Sequence, residues 1–79
     1  MQVKVLGPVS RQVDILTQNT AIALKKLKIK AEFEKVSELK RVFAYGIIAL
    51  PALIIDGKLI SSGSVLTVEE AMVAIQRLS

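Results

Sequence analysis

Apolar and polar residues change rhythm several times along this chain, and each change marks an element. Val3 and Val5 alternate with Gln2 and Lys4, the two-residue period of a short strand that ends at Leu6, before the Gly7-Pro8 break. From Ser10 to Leu27 the period lengthens. Val13, Leu16, Ala23, Leu24 and Leu27 share one helical face, Thr20 fills the gap in it, and Ser10 stands where a first-turn cap belongs. Ile29, Ala31 and Phe33 then alternate with Lys30, Glu32 and Glu34, predicting a second strand with one polar face, short enough to be an edge. Ser37 is expected to cap a second, shorter helix through Leu39, Val42, Phe43 and Tyr45, closed by Gly46.

The apolar run from Ile47 to Ile55 is expected to be a buried strand. Asp56-Gly57, both tolerant of positive φ, predicts a two-residue hairpin pairing Ala52–Ile55 with Lys58–Ser61. Thr67 and Glu70 have capping-box spacing, and Val68, Ala71, Met72, Ile75 and Leu78 form the inward stripe of a last helix. The order is β-α-β-α-β-β-α. A right-handed βαβ unit makes the first two strands parallel and the hairpin adds two antiparallel ones, giving an α/β fold with a four-stranded mixed sheet flanked by three helices. Periodicity alone leaves several α/β sandwiches open.

Composition narrows the setting. Seventy-nine residues with 52% apolar side chains make residues 1–79 a single domain with one core. With no cysteine and no histidine there is neither a disulfide nor a structural zinc site, so packing must suffice, and self-association would help. No basic region with a long apolar core opens the chain, which points to the cytoplasm, and Pro51 interrupts an apolar run too short to cross a membrane. The net charge of +4 comes partly from Lys25, Lys26, Lys28 and Lys30; without interleaved aromatic residues these read as a solvated helix end rather than a nucleic-acid surface. Glu32 with Glu34, and Glu69 with Glu70, read as surface and capping residues. The four scattered glycines form no phosphate loop, so no cofactor is expected.

The strand-loop Val3–Gly7, the Ala44-Tyr45-Gly46-Ile47 turn, the hairpin Leu50-Pro51-Ala52-Leu53-Ile54-Ile55-Asp56-Gly57-Lys58 and the Ser61-Ser62-Gly63-Ser64 turn match one pattern in order and spacing. In these the chain resembles the small thioredoxin- and glutaredoxin-like domains known as redox-active disulfide proteins. The resemblance implies a thioredoxin-like fold, a cis peptide bond before Pro51, and a groove between that proline and the start of the first helix. It also exposes a departure. Ser10 and Val13 stand where the family carries its two cysteines, and Leu50 stands where it usually has threonine. A serine hydroxyl ionises far less readily than a thiol and forms no reversible disulfide, and Val13 has no heteroatom to resolve one. Replacement of one cysteine would suit an engineered trap; loss of both, with Leu50 also changed, suits a naturally redox-silent form.

No catalytic residue is therefore expected: Ser10 as a nucleophile would need a base, and there is no histidine. Val9, Ser10, Arg11, Leu50, Pro51 and Gly63 are the expected binding residues, for an extended protein or peptide segment in the groove. An anionic, glutathione-like small molecule at Ser10 and Arg11 is the alternative. Ile15 and Ile22, seven residues apart and opposite the inward stripe, form a second candidate face for a partner or a second copy.

Overall fold

A computed structural model describes residues 1–46 and 49–78. Ile47 and Ile48, the start of the expected buried run, lie outside the described residues, as do Ser79 and the Leu39 side chain. The elements are β1 (Gln2–Leu6), α1 (Arg11–Lys26), β2 (Glu32–Val36), α2 (Leu39–Ala44), β3 (Ala52–Ile55), β4 (Lys58–Ser62) and α3 (Val68–Gln76). The sheet runs β2-β1-β3-β4, with β1 parallel to β2 and the other two pairs antiparallel. The expected α/β architecture is the observed one.

The alternation along β1 divides the core. Val3 and Val5 face α1 and α3, where they join Val13, Leu16, Ala23, Leu24, Leu53, Ile55, Ala71 and Ile75. Leu6 faces the other way and packs with Val36, Val42, Ala52 and Ile54 beneath α2. Each such Val, Leu or Ile removed from water contributes on the order of 1.5–3 kcal/mol, which is how so short a chain holds its fold without staples. Thr20, in the middle of the α1 stripe, is buried because its hydroxyl donates to the Leu16 carbonyl at 2.8 Å.

Both expected helix caps at the ends of the chain form. Ser10 Oγ accepts from the Val13 N–H at 3.3 Å, and Thr67 and Glu70 exchange the two bonds of a capping box. The hairpin turn has Asp56 at φ 48° and Gly57 at φ 80°, the paired positive values of a tight two-residue connection. Its second strand reaches one residue further than expected, to Ser62, and carries Ile60 as a bulge between the Leu53–Ser61 and Ile54–Leu59 pairs.

Three expectations need correction. The second strand begins at Glu32, so Ile29 and Ala31 precede it, packing on the core from a loop, and Phe33 is 39% exposed. Only Val36 of β2 is buried, because β1 carries the apolar load and the edge strand needs one contact with Leu6 and Val42. The N-cap of α2 is Glu38 rather than Ser37, with no side-chain bond; the seating of Val42 against Leu6 and Val36 sets the helix position instead. Phe43 and Tyr45 do not join the buried stripe but stand 63% and 40% exposed.

Candidate functional site

Three segments meet at the C-terminal end of β1. Gly7 leaves the strand with φ 152°, its N–H donating to the Val36 carbonyl at 3.0 Å. A Cβ on Gly7 would come within 2.9 Å of Val13 Cγ2 and 3.7 Å of Pro51 Cα, so the missing side chain lets the first turn of α1 and the segment before β3 close on the strand end. Pro51 is buried and follows a cis peptide bond from Leu50.

A clasp holds that proline from the other side. The Gly63 N–H donates to the Pro51 carbonyl at 2.8 Å, and Ser62 Oγ donates to the Ala49 carbonyl at 2.8 Å. Gly63 has φ 82°, and a Cβ there would lie 3.1 Å from the Ala49 Cβ, so the turn after β4 also depends on a bare backbone. No described residue pairs with the Leu50 backbone N–H or carbonyl. The Leu50 side chain is half-buried against the α2 side of the core.

The expected site residues divide accordingly. Pro51, Gly63 and Leu50 form one continuous feature, and Gly7 links it to α1, whose N-cap is Ser10. Val9, 91% exposed, and Arg11, exposed at the first helical position, flank that cap. Val13 is buried at 3% exposure, packed as a core residue. Ile15 and Ile22, at 36% and 45% exposure, sit on the outer face of α1, apart from the cap. Gly7, Ala49 and Ser62 are further contributors; the Gly7-Pro8 dipeptide was the one available signal, because a proline after a glycine at a strand end marks a constrained turn.

Across the sheet, on the α2 side, Lys4 Nζ donates to the Tyr45 hydroxyl at 3.0 Å and lies 5.6 Å from that ring's centre. The hydrogen bond to Tyr45 holds the Lys4 ammonium above its usual pKa. Arg41 pairs with Glu34 at 2.9 Å, which raises the guanidinium further still. These exposed contacts are surface structure. Among the described residues no group of three metal-ligating side chains occurs, and no helix is long and apolar enough to cross a membrane.

A helix starting at the end of the first strand, opposite a cis-proline that leads into the third, on a sheet of order β2-β1-β3-β4, defines a thioredoxin-like domain. The family model for the thioredoxin domain matches residues 1–76, and the chain belongs to that family. It is 37% identical over 70 residues to a thioredoxin of Methanothermobacter thermautotrophicus, a match covering 89% of this chain and 91% of that one. The 79 residues contain no cysteine, and thiol–disulfide exchange proceeds through a thiolate.

Proposed function

We propose that this chain is a redox-silent thioredoxin-domain module that binds an extended protein or peptide segment along Val9, Ser10, Arg11, Leu50, Pro51 and Gly63. The observation that carries this reading is the Leu50 backbone N–H and carbonyl, which have no hydrogen-bond partner among the described residues, beside a proline fixed by Gly7 and Gly63. An extended segment finds there the backbone donor and acceptor that strand addition requires, with the exposed Val9 side chain as an apolar neighbour. None of this needs a thiol. The hydroxyl at Ser10 is occupied as a cap and Val13 as core, which supports binding without turnover.

Peptide display on the immobilised protein, followed by amide-shift mapping by NMR, tests the reading. Selected peptides should perturb residues 9–11, 50–51 and 63 and weaken at least about tenfold, the equivalent of about 1.4 kcal/mol, on Val9→Asp, a change at an exposed position. Shifts that map to Ile15 and Ile22 instead, or peptides indifferent to Val9→Asp, would remove the groove from consideration. Sedimentation velocity over a concentration series shows whether the bound segment is a second copy.

An anionic, glutathione-like ligand at the start of α1 has weaker support, because Ser10 Oγ already takes the Val13 N–H that would otherwise face the anion. A thermal shift with glutathione or inorganic phosphate that disappears in Arg11→Ala would restore it.

A further inference from the structure

The positive charge of this chain is gathered at the end of the molecule remote from Gly7 and Pro51. The starts of β1 and β2, the β3–β4 turn and the loop leaving α1 converge there. The Glu32 N–H donates to the Met1 carbonyl, the Asp56 N–H to the Gln2 carbonyl and the Ile29 N–H to the Leu24 carbonyl, each at 2.9 Å. This pole carries Lys25, Lys26, Lys28, Lys30 and Lys58 against Glu32 and Asp56. Five of the eleven cationic side chains are therefore set against two of the seven acidic ones, a net of three positive charges at this one end of the sheet.

The loop displays its lysines in a fixed way. Leu27, Ile29 and Ala31 are half-buried against the core while Lys26, Lys28 and Lys30 alternate with them and are exposed. Lys28 holds φ 59°, and its N–H donates to the Lys25 carbonyl at 3.1 Å. The Asp56 carboxylate is engaged with the Gln2 N–H at 2.7 Å. Elsewhere two cations pair with carboxylates, Lys35 with Asp14 at 2.8 Å and Arg41 with Glu34 at 2.9 Å. The C-terminal dipole of α1 gives a structural reason for Lys25 and Lys26, but Lys30 and Lys58 belong to no helix.

We propose that this pole docks an acidic segment of a partner protein. All five cations are lysines, point charges that suit scattered carboxylates and lack the planar fork arginine offers to phosphate or base edges. Phe33 is the nearest ring, alone and on an edge strand, so no stacking platform for single-stranded nucleic acid accompanies the charge. Ile22, Phe33 and Leu59, the exposed apolar residues nearest in sequence, stand on three separate elements, α1, β2 and β4, with the two strands at opposite edges of the sheet, rather than on one amphipathic face that could enter a bilayer. At physiological salt the screening length is about 8 Å, so Lys25, Lys26, Lys28 and Lys30, within six residues, act together on an approaching anion, while Lys58, across the sheet at the start of β4, is reached by an extended segment that spans this end. The inference does not depend on the groove.

The probe is a fluorescent peptide of about sixteen residues, mostly glutamate, titrated by anisotropy from about 50 to 300 mM NaCl, since binding by charge neutralisation weakens steeply with salt. Lys30→Glu/Lys58→Glu, both outside helices, should weaken binding at least about tenfold, while Lys35→Glu/Lys40→Glu, the same change in net charge elsewhere, should weaken it less than about twofold. Leu50→Asp should leave the peptide's affinity unchanged, separating this surface from the groove. Equal losses in the two double variants, or no binding at the lowest salt, would overturn the proposal. So would tighter binding of a DNA duplex or of phosphatidylserine vesicles at equal salt, if abolished by the same pair of lysine changes, because the pole would then belong to a different partner.

Discussion

Gly7→Ala tests whether the convergence of β1, α1 and Pro51 depends on a bare backbone. Gly7 is buried at φ 152°, and the new methyl would sit 2.9 Å from Val13 Cγ2 with the Pro51 backbone 3.7 Å behind it. Holding a non-glycine residue at that φ costs about 1–3 kcal/mol. Forcing the methyl against a packed valine adds about 1–3 kcal/mol, since Val13 and Pro51 are both buried. Together the loss is about 2–6 kcal/mol, against a total stability on the order of 4–12 kcal/mol for a domain of this length. Urea unfolding followed by circular dichroism should show a much lower midpoint with an unchanged slope. Val13→Ala added to Gly7→Ala removes the clashing methyl but not the backbone strain, so the double variant's loss should fall short of the sum of the two single losses by about 1–2 kcal/mol. A Gly7→Ala loss under about 0.5 kcal/mol, or strict additivity with Val13→Ala, would refute this account of the site's geometry.

Thr67→Ala breaks the capping box of α3 and should cost about 1 kcal/mol in the same assay, with the first turn of α3 losing hydrogen-exchange protection before the rest. Tyr45→Phe removes the acceptor for Lys4 Nζ, so the Lys4 ammonium should titrate closer to its ordinary 10.5, as read by side-chain NMR. The sign follows from the raised value: any stabilisation from this contact is present below the unfolded pKa and fades as pH rises through the folded one. Ser10→Cys/Val13→Cys should form a disulfide that dithiothreitol reduces, detected by mass spectrometry, because Ser10 Oγ already reaches the Val13 N–H at 3.3 Å and the two positions lie within one turn of each other. Failure to oxidise would mean that this first turn departs from the geometry its family uses.

What could be read from the chain beforehand follows from how local each signal was. Ser10, Thr67 with Glu70, and Asp56-Gly57 act through bonds within three residues, and each forms as its type predicts. The inward stripe of α1 was equally legible because a sixteen-residue helix repeats its period often enough to fix its phase. The alternation of Ile29, Ala31 and Phe33 with Lys30, Glu32 and Glu34 has a strand's period, yet Ile29 and Ala31 reach the core from a loop before β2, so the period alone places the strand too early. Ser37 misled for a related reason: a good cap residue is worth about 1 kcal/mol, less than the seating of Val42 between Leu6 and Val36. The site was half legible. Its residues could be named from the family pattern, whereas the clasp of Ser62 and Gly63 on Ala49 and Pro51 depends on contacts between segments that are apart in the chain.

The two positions without cysteine bear on the fold in different ways, and that difference separates lost chemistry from retained surface. Serine at position 10 keeps an acceptor at the helix start and uses it for the Val13 amide, so the setting that would lower a thiol's pKa now serves as a cap. Valine at position 13 is buried against the Gly7 side of the strand end, where a hydroxyl without a partner would cost about 1–3 kcal/mol. An apolar replacement there therefore maintains packing, just as a polar one at position 10 maintains the cap. The bonds that hold the proline side of the groove, Gly63 to Pro51 and Ser62 to Ala49, involve neither position. Redox chemistry can consequently be absent while the backbone around Leu50 stays in place, the Leu50 N–H and carbonyl having no partner among the described residues, and in the proposed function it is this backbone, rather than a reactive atom, that the bound segment meets.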